Sequence, residues 1–181
     1  MGKVQKKRLS VCDVAPRIRT RLMRNATKFL PFRKNFTWRG IEQTRYKREG
    51  ADWKGISRQE LFGTRGESVR FHVRYFEVAP GGFTSLEFHR HEHVVIGIRG
   101  RGICRVGAKT YAIGHLDALY IAPRELHQLR NEGDEPFGFL CIVNAKRDKP
   151  KVVENDPATN ERSRRLSVHR DRKGKTKVNR D

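Results

Sequence analysis

Three histidines spaced two residues apart constrain this chain more than any other feature. They lie in the run Pro80-Gly81-Gly82-Phe83-Thr84-Ser85-Leu86-Glu87-Phe88-His89-Arg90-His91-Glu92-His93, which continues into an apolar stretch ending at Gly100. Successive side chains of an extended strand point to opposite faces, so Glu87, His89, His91 and His93 share one face and Arg90 and Glu92 take the other. A polar, solvated strand face is the plain reading of a single such histidine. Three imidazoles in five residues, leading into a buried strand, point instead to a divalent metal, for which imidazole is the commonest protein ligand. Geometry adds a condition. Two histidines at i and i+2 have Cα atoms about 6.6 Å apart and can share one ion, but a third stretches the set over roughly 13 Å of straight strand. The spacing therefore predicts a tight turn near His91-Glu92, with His93 opening a new strand over 94–99. On a straight strand only two of the three would bind. A further ligand must come from elsewhere, and His127 is the candidate.

The remaining middle of the chain reads as strand over 41–47, 55–62, 69–78, 103–106, 109–113, 118–121, 127–131 and 137–144. Gly-rich or charged turns punctuate these runs, at Pro80-Gly81-Gly82, Gly100-Arg101-Gly102, Gly107, Gly114 and Asn131-Glu132-Gly133-Asp134. Many short strands at such spacing indicate an all-β sandwich or barrel. Only 12–30 offers a segment that could hold a helix. Within 69–78, Phe71, Val73 and Tyr75 fall on one face and Phe76 and Val78 on the other, with His72 and Arg74 beside them. By the same parity Arg99 continues the His93 face. Cys12, Cys104 and Cys141 form no CxxC pair, as in a reduced, cytoplasmic protein. Cys104 and Cys141 sit in apolar strand patterns and read as buried structural thiols. His115 falls in a turn, and His169 reads as solvated.

At 181 residues the chain is one domain's worth of sequence, and its net charge of +20 is unevenly spread. Residues 1–50 carry 15 Lys and Arg against 3 Asp and Glu, whereas residues 51–150 carry 15 against 12. This divides the chain into a basic, partly disordered arm over 1–40, a near-neutral barrel over 41–149 and a basic tail over 150–181 too poor in apolar residues to order itself. No run has the apolar length of a secretory core or of a membrane span of about 20 residues. The expected protein is soluble and cytoplasmic with no membrane partner, although an Arg-rich beginning is also the composition of an organellar transit peptide. Basic arms can neutralise phosphates and bind nucleic acid without sequence preference. Phe29, Phe32, Phe36 and Trp38 would then either stack on bases or pack onto the barrel. Plain solvated charge is the competing reading of the arms.

A second informative stretch runs from Gly114 to Asn131: Pro123 closes an apolar strand, and His127 follows four residues later on a new one. Taken together, the two stretches resemble the cupins. The family's first motif reads here as Gly82, His89-Arg90-His91, His93 and Gly100, and its second as Pro123, His127 and Asn131. The words Gly55-Ile56-Ser57-Arg58-Gln59 and Gly133-Asp134-Glu135-Pro136-Phe137 are similar to small single-domain members, and the likeness covers residues 41–149. The family's usual metal-binding Glu falls on His93. The resemblance implies a cupin-type antiparallel β-barrel (a double-stranded β-helix) of two facing sheets with a divalent transition metal (Mn, Fe, Ni or Zn) in its mouth. The implied ligands are His89, His91, His93 and His127, or a set that recruits Glu87 and leaves one histidine outside. It further implies a homodimer, with 41–62 at its interface. The implied activity is that of a dioxygenase, decarboxylase or isomerase acting on a small organic acid or enol-type metabolite. Glu87 or Glu125 would serve as base, and Arg99 would bind a substrate carboxylate if it faced inward. A non-enzymatic ligand binder is the reading from another class.

Overall fold

Burial alternates with a period of two along most of the long strands, which is what a sheet with one face on a core requires. The computed structural model describes residues 26–47 and 52–153. The expected disorder over the first residues and over 154–181, and most of the possible helix over 12–30, lie outside them. In chain order the strands are β1 (Phe32–Arg33), β2 (Thr37–Trp38), β3 (Gln43–Arg45), β4 (Lys54–Phe62), β5 (Phe71–Phe83), β6 (Glu87–Phe88), β7 (His93–Arg99), β8 (Gly102–Val106), β9 (Lys109–Ile113), β10 (Ala118–Ile121), β11 (His127–Arg130), β12 (Phe137–Asn144) and β13 (Lys151–Val152). Among the described residues there is no α-helix, only a 3-10 turn at Lys34–Phe36. The all-β expectation holds, and no helix there is long and apolar enough to cross a membrane.

One face of the barrel runs β3-β4-β5-β12-β7-β10 and the other β13-β6-β11-β8-β9, every pairing being antiparallel. β5 belongs to both, because its last residue, Phe83, pairs with Arg130 of β11. It turns the corner at Pro80-Gly81-Gly82. Gly81 has φ +68°, and a Cβ on Gly82 would lie 2.7 Å from the Lys54 carbonyl oxygen. Only glycine fits such a corner without displacing backbone. Val78, Val95, Ile121, Leu129, Phe137 and Phe139 fill the space between the faces, each 3% exposed or less. Burying side chains of this size contributes about 1.5–3 kcal/mol each relative to exposure.

The ordered body extends past both ends of the 41–149 barrel. The β1–β2 hairpin packs Phe36 and Trp38 against the outer face of Tyr75, with ring centroids 6.0 and 5.3 Å away. Phe29 and Phe32 stay exposed. At the other end β13 pairs with β6, beside the histidine cluster.

Candidate metal centre

The predicted turn is present. β6 stops at Phe88, the chain bends at Arg90 and His91, and β7 opens on His93. His93 is clamped between Val143 of β12 and Ile121 of β10. His127 opens β11 opposite Glu87 of β6. The two loops are tied together, since the Arg124 N–H donates to the His89 carbonyl at 2.6 Å. Arg124 holds φ +68°, left-handed backbone that a non-glycine residue adopts only under constraint.

This arrangement brings one ring nitrogen each from His89, His93 and His127 within 4.8 Å of one another, and all three residues are buried. The orientation of each ring is set by its other nitrogen. His89 Nδ1 lies 2.7 Å from the His91 carbonyl, and His127 Nδ1 lies 2.8 Å from the Glu125 carbonyl. Each Nδ1 therefore carries the proton and leaves the Nε2 lone pair free, the usual way a second contact fixes a ligating imidazole. His93 Nδ1 contacts Cys141 Sγ at 3.3 Å, and its Nε2 is buried with no hydrogen-bond partner among the described residues. An orphaned buried nitrogen beside two free lone pairs is what a cation would satisfy. Burial pushes His93 down to about 2 and His89 down to about 4, with the neighbouring histidines acting in the same direction. Burial lowers His127 as well. Neutral imidazoles are the form that ligates metal. Three nitrogen donors fit a transition ion such as Mn, Fe, Ni or Zn and leave positions open for substrate.

Of the other expected site residues, His91 and Glu87 line the cavity, and Glu125 and Arg99 do not. His91 lines the cavity but stands outside the ligating group. Its ring stacks on His89 at 3.7 Å, and its Nδ1 pairs with Asp148 at 2.8 Å. Glu87 is buried on the cavity wall, where Lys47 holds its carboxylate at 3.2 Å. Glu125 is exposed and not part of that wall, contributing only its carbonyl to His127. Arg99 does not continue the His93 face. A bulge opposite Gly138 and Phe139 shifts the register after Gly97 and reverses the parity. Arg99 therefore lies on the outer face, paired with Glu77 and set over the Phe36 ring.

The histidines line a cavity of about 250 Å³ together with Lys47, Arg58, Arg74, Cys141 and Arg147, none of which sequence reading placed at the site; Cys141 was expected only as a buried structural thiol of the core. Alternation offered a signal for two of them. Arg74 shares the inward parity of Phe76, and Cys141 that of Phe139 and Val143. The Arg74 guanidinium donates to Cys141 Sγ at 3.3 Å, so the thiol meets a cation on one side and an imidazole on the other.

Comparison with known proteins agrees with this barrel. The family model described as a cupin domain matches residues 74–143. A 1-methylthio-D-xylulose 5-phosphate methylsulfurylase of Rhodospirillum rubrum is 42% identical over 125 residues, 68% of this chain and 79% of that protein. A crystal structure of a cupin-2 domain from Rhodospirillum rubrum, 39% identical, covers 79% of this chain and 96% of its own at TM-score 0.63. Another, of a cupin 2 conserved barrel domain protein from Rhodopseudomonas palustris, is 35% identical, covers 78% of this chain and 97% of its own, and has TM-score 0.66. Two histidine-bearing loops set in one antiparallel barrel, and relatives of this identity and coverage, lead to one conclusion: the chain belongs to the cupin family.

Proposed function

We propose that this cupin is a metal-dependent enzyme that removes the methylthio group from a small ketose phosphate of the 1-methylthioxylulose 5-phosphate kind, with Cys141 as nucleophile. One observation carries the reading: Cys141 Sγ lies in the wall of the histidine cavity with nitrogens of His93 and Arg74 each 3.3 Å away. With Nε2 of His93 on a metal, Nδ1 keeps its proton, and both nitrogens then donate to the sulfur. Burial pushes the Cys141 thiol up, and the Arg74 guanidinium opposes that rise. A His93 ring that donates from Nδ1 when its Nε2 holds a metal adds a second contact favouring the thiolate, the nucleophilic form. Cys104 is buried in the core with no such cation, and burial alone pushes its thiol up to about 12.

A divalent ion held by His89, His93 and His127 would stabilise negative charge developing on the ketone oxygen. The rest belongs to the chain. The Cys141 thiolate attacks the methylthio sulfur, forming an S–S bond as the bond from sulfur to the sugar carbon breaks. The electron pair passes to that carbon as an enolate, which takes up a proton. The thiolate is oxidised to a methyl disulfide while the carbon is reduced. We assign that proton to Glu87, which lies on the cavity wall while Glu125 does not. An external thiol then carries the methylthio group away and restores Cys141 by thiol–disulfide exchange, a step suited to the reducing cytoplasm. The enol-type metabolite expected from sequence enters here as the enolate formed from a ketose, not as the substrate itself. Dioxygenase, decarboxylase and isomerase chemistry place charge on the same kind of oxygen, and the thiol in the wall favours sulfur removal over them.

The test uses full-length, metal-loaded protein with 1-methylthio-D-xylulose 5-phosphate and no added thiol. Intact-protein mass spectrometry should show one methylthio adduct, mapped to Cys141, with one equivalent of dethiomethylated sugar. Added thiol should give turnover. Cys141→Ser should lose adduct and turnover while Cys104→Ser keeps both. Wild-type turnover by Cys141→Ser would end the reading.

A further inference from the structure

The same cavity holds more positive charge than its metal site and thiol account for. Arg58 of β4 and Arg74 of β5 stand on the inner face, since Arg58 pairs in register with Phe76 and Arg74 with Glu60. Arg147, from the turn after β12, reaches the same wall, its Nη1 lying 3.2 Å from His72 Nδ1 and donating to the Asn144 carbonyl at 3.3 Å. Lys47 is already engaged by Ser85, Asp52 and Glu87. Against the three guanidiniums the described residues set one carboxylate, Glu60, whose Oε1 lies 3.2 Å from Arg58 Nε. Arg74 and Arg147 have no carboxylate partner among the described residues. Burial pushes Arg147 below its usual value, and the positive charges of Arg74 and, more weakly, Arg58 push it the same way.

Charges crowded in this manner lack their counterion. The donors show a similar lack: Arg74 Nε is buried without a hydrogen-bond partner among the described residues, and Arg58 Nε, though ion-paired with Glu60, is buried without a hydrogen bond of good geometry. Guanidinium forks match phosphate oxygens in pairs, and a phosphate monoester carries a charge of about −1.5 to −2 at neutral pH. Such an anion suits Arg74 and Arg147, which no carboxylate among the described residues pairs with. We propose that Arg58, Arg74 and Arg147 form a cradle for the phosphate monoester of a small phosphorylated ketose. The identity of the ketose rests on the proposed function, whereas the phosphate class rests on the guanidiniums alone. Arg74 touches both this cradle and Cys141, so it sets the distance between the anchored end of the sugar and the reacting sulfur.

The test is isothermal titration of full-length, metal-loaded protein with xylulose 5-phosphate and with xylulose, at fixed ionic strength. The phosphorylated sugar should bind far more tightly, and inorganic phosphate should compete with it. Arg147→Met, outside the reacting groups, should weaken xylulose 5-phosphate by about 10- to 100-fold, as expected for lost charge-assisted hydrogen bonds. Metal content and affinity for xylulose should be unchanged, and Arg147→Lys should recover part of the loss. Equal binding of the two sugars, or wild-type affinity in Arg147→Met, overturns the cradle. Should that variant misfold, failure of inorganic phosphate to compete on the wild type overturns it equally. Phosphate discrimination without methylthio removal leaves the cradle standing and removes the reaction. A Cys141 adduct with undiminished affinity in Arg147→Met does the reverse.

Discussion

His91 and His93 are chemically identical and two residues apart, yet their surroundings assign them different work. Asp148 takes His91 Nδ1 and also accepts two hydrogen bonds from the Arg90 N–H, at 3.1 and 2.9 Å. The His91 contact, followed by the Arg90 N–H, holds the Asp148 carboxyl far below its usual range. It stays charged and keeps the His91 ring stacked flat on His89. His93 has no such tether, and its free Nε2 looks into the cavity. Alanine substitution should separate the two. His89→Ala, His93→Ala and His127→Ala are each expected to lose bound metal on dialysis, whereas His91→Ala keeps close to one ion per chain. Elemental analysis of untagged protein measures this directly. Equal metal loss in all four variants would place His91 among the ligands.

At the scale of the elements, tight contacts decide what a strand presents to each side. A Cβ on Gly138 would sit 2.2 Å from the Tyr75 hydroxyl and 2.9 Å from Arg99 Cβ. Tyr75 is 1% exposed and bound to Glu77 at 2.7 Å, so it has nowhere to retreat. Gly138→Ala should therefore cost about 1–3 kcal/mol through overpacking. Urea unfolding should show this as a lower midpoint, with metal content intact because the clash lies on the outer face. The bulge that brings Arg99 to that glycine also explains where sequence reading stopped. Strand positions were legible because alternation and glycine turns are local, and β9, β10 and β12 begin and end where the pattern placed them. The turn at the histidines was legible because a straight strand could not have served one ion. The register shift after Gly97 left no local mark, so parity carried Arg99 to the wrong face. Arg58, Arg74, Cys141 and Arg147 come from three separate places in the chain. Their meeting depends on which strands pair, which a single sequence does not state.

For the molecule as a whole, the same burial that prepares the imidazoles for metal sets a cost in acid. Unfolded histidines titrate near 6.5, whereas in the barrel His89 titrates near 4 and His93 near 2. Above about pH 6.5 neither state binds these protons, and the histidines cost nothing. As the pH falls below that value the unfolded chain takes up protons that the folded one refuses, so stability drops. The loss approaches about 1.4 kcal/mol per pH unit for each imidazole kept neutral, until the folded values are reached. A metal bound only to the folded state adds stability at neutral pH. Protons compete for the same nitrogens, so the metal-loaded protein should fall more steeply still. The expected result is a urea midpoint for metal-free protein that declines between pH 6.5 and 5, and declines less in His93→Gln, which has no ring to protonate. A flat profile for the metal-free wild type over that range would show that the imidazoles accept protons freely in the folded barrel. Water would then reach the cavity floor, and a dry, neutral nitrogen cluster would no longer account for the metal site.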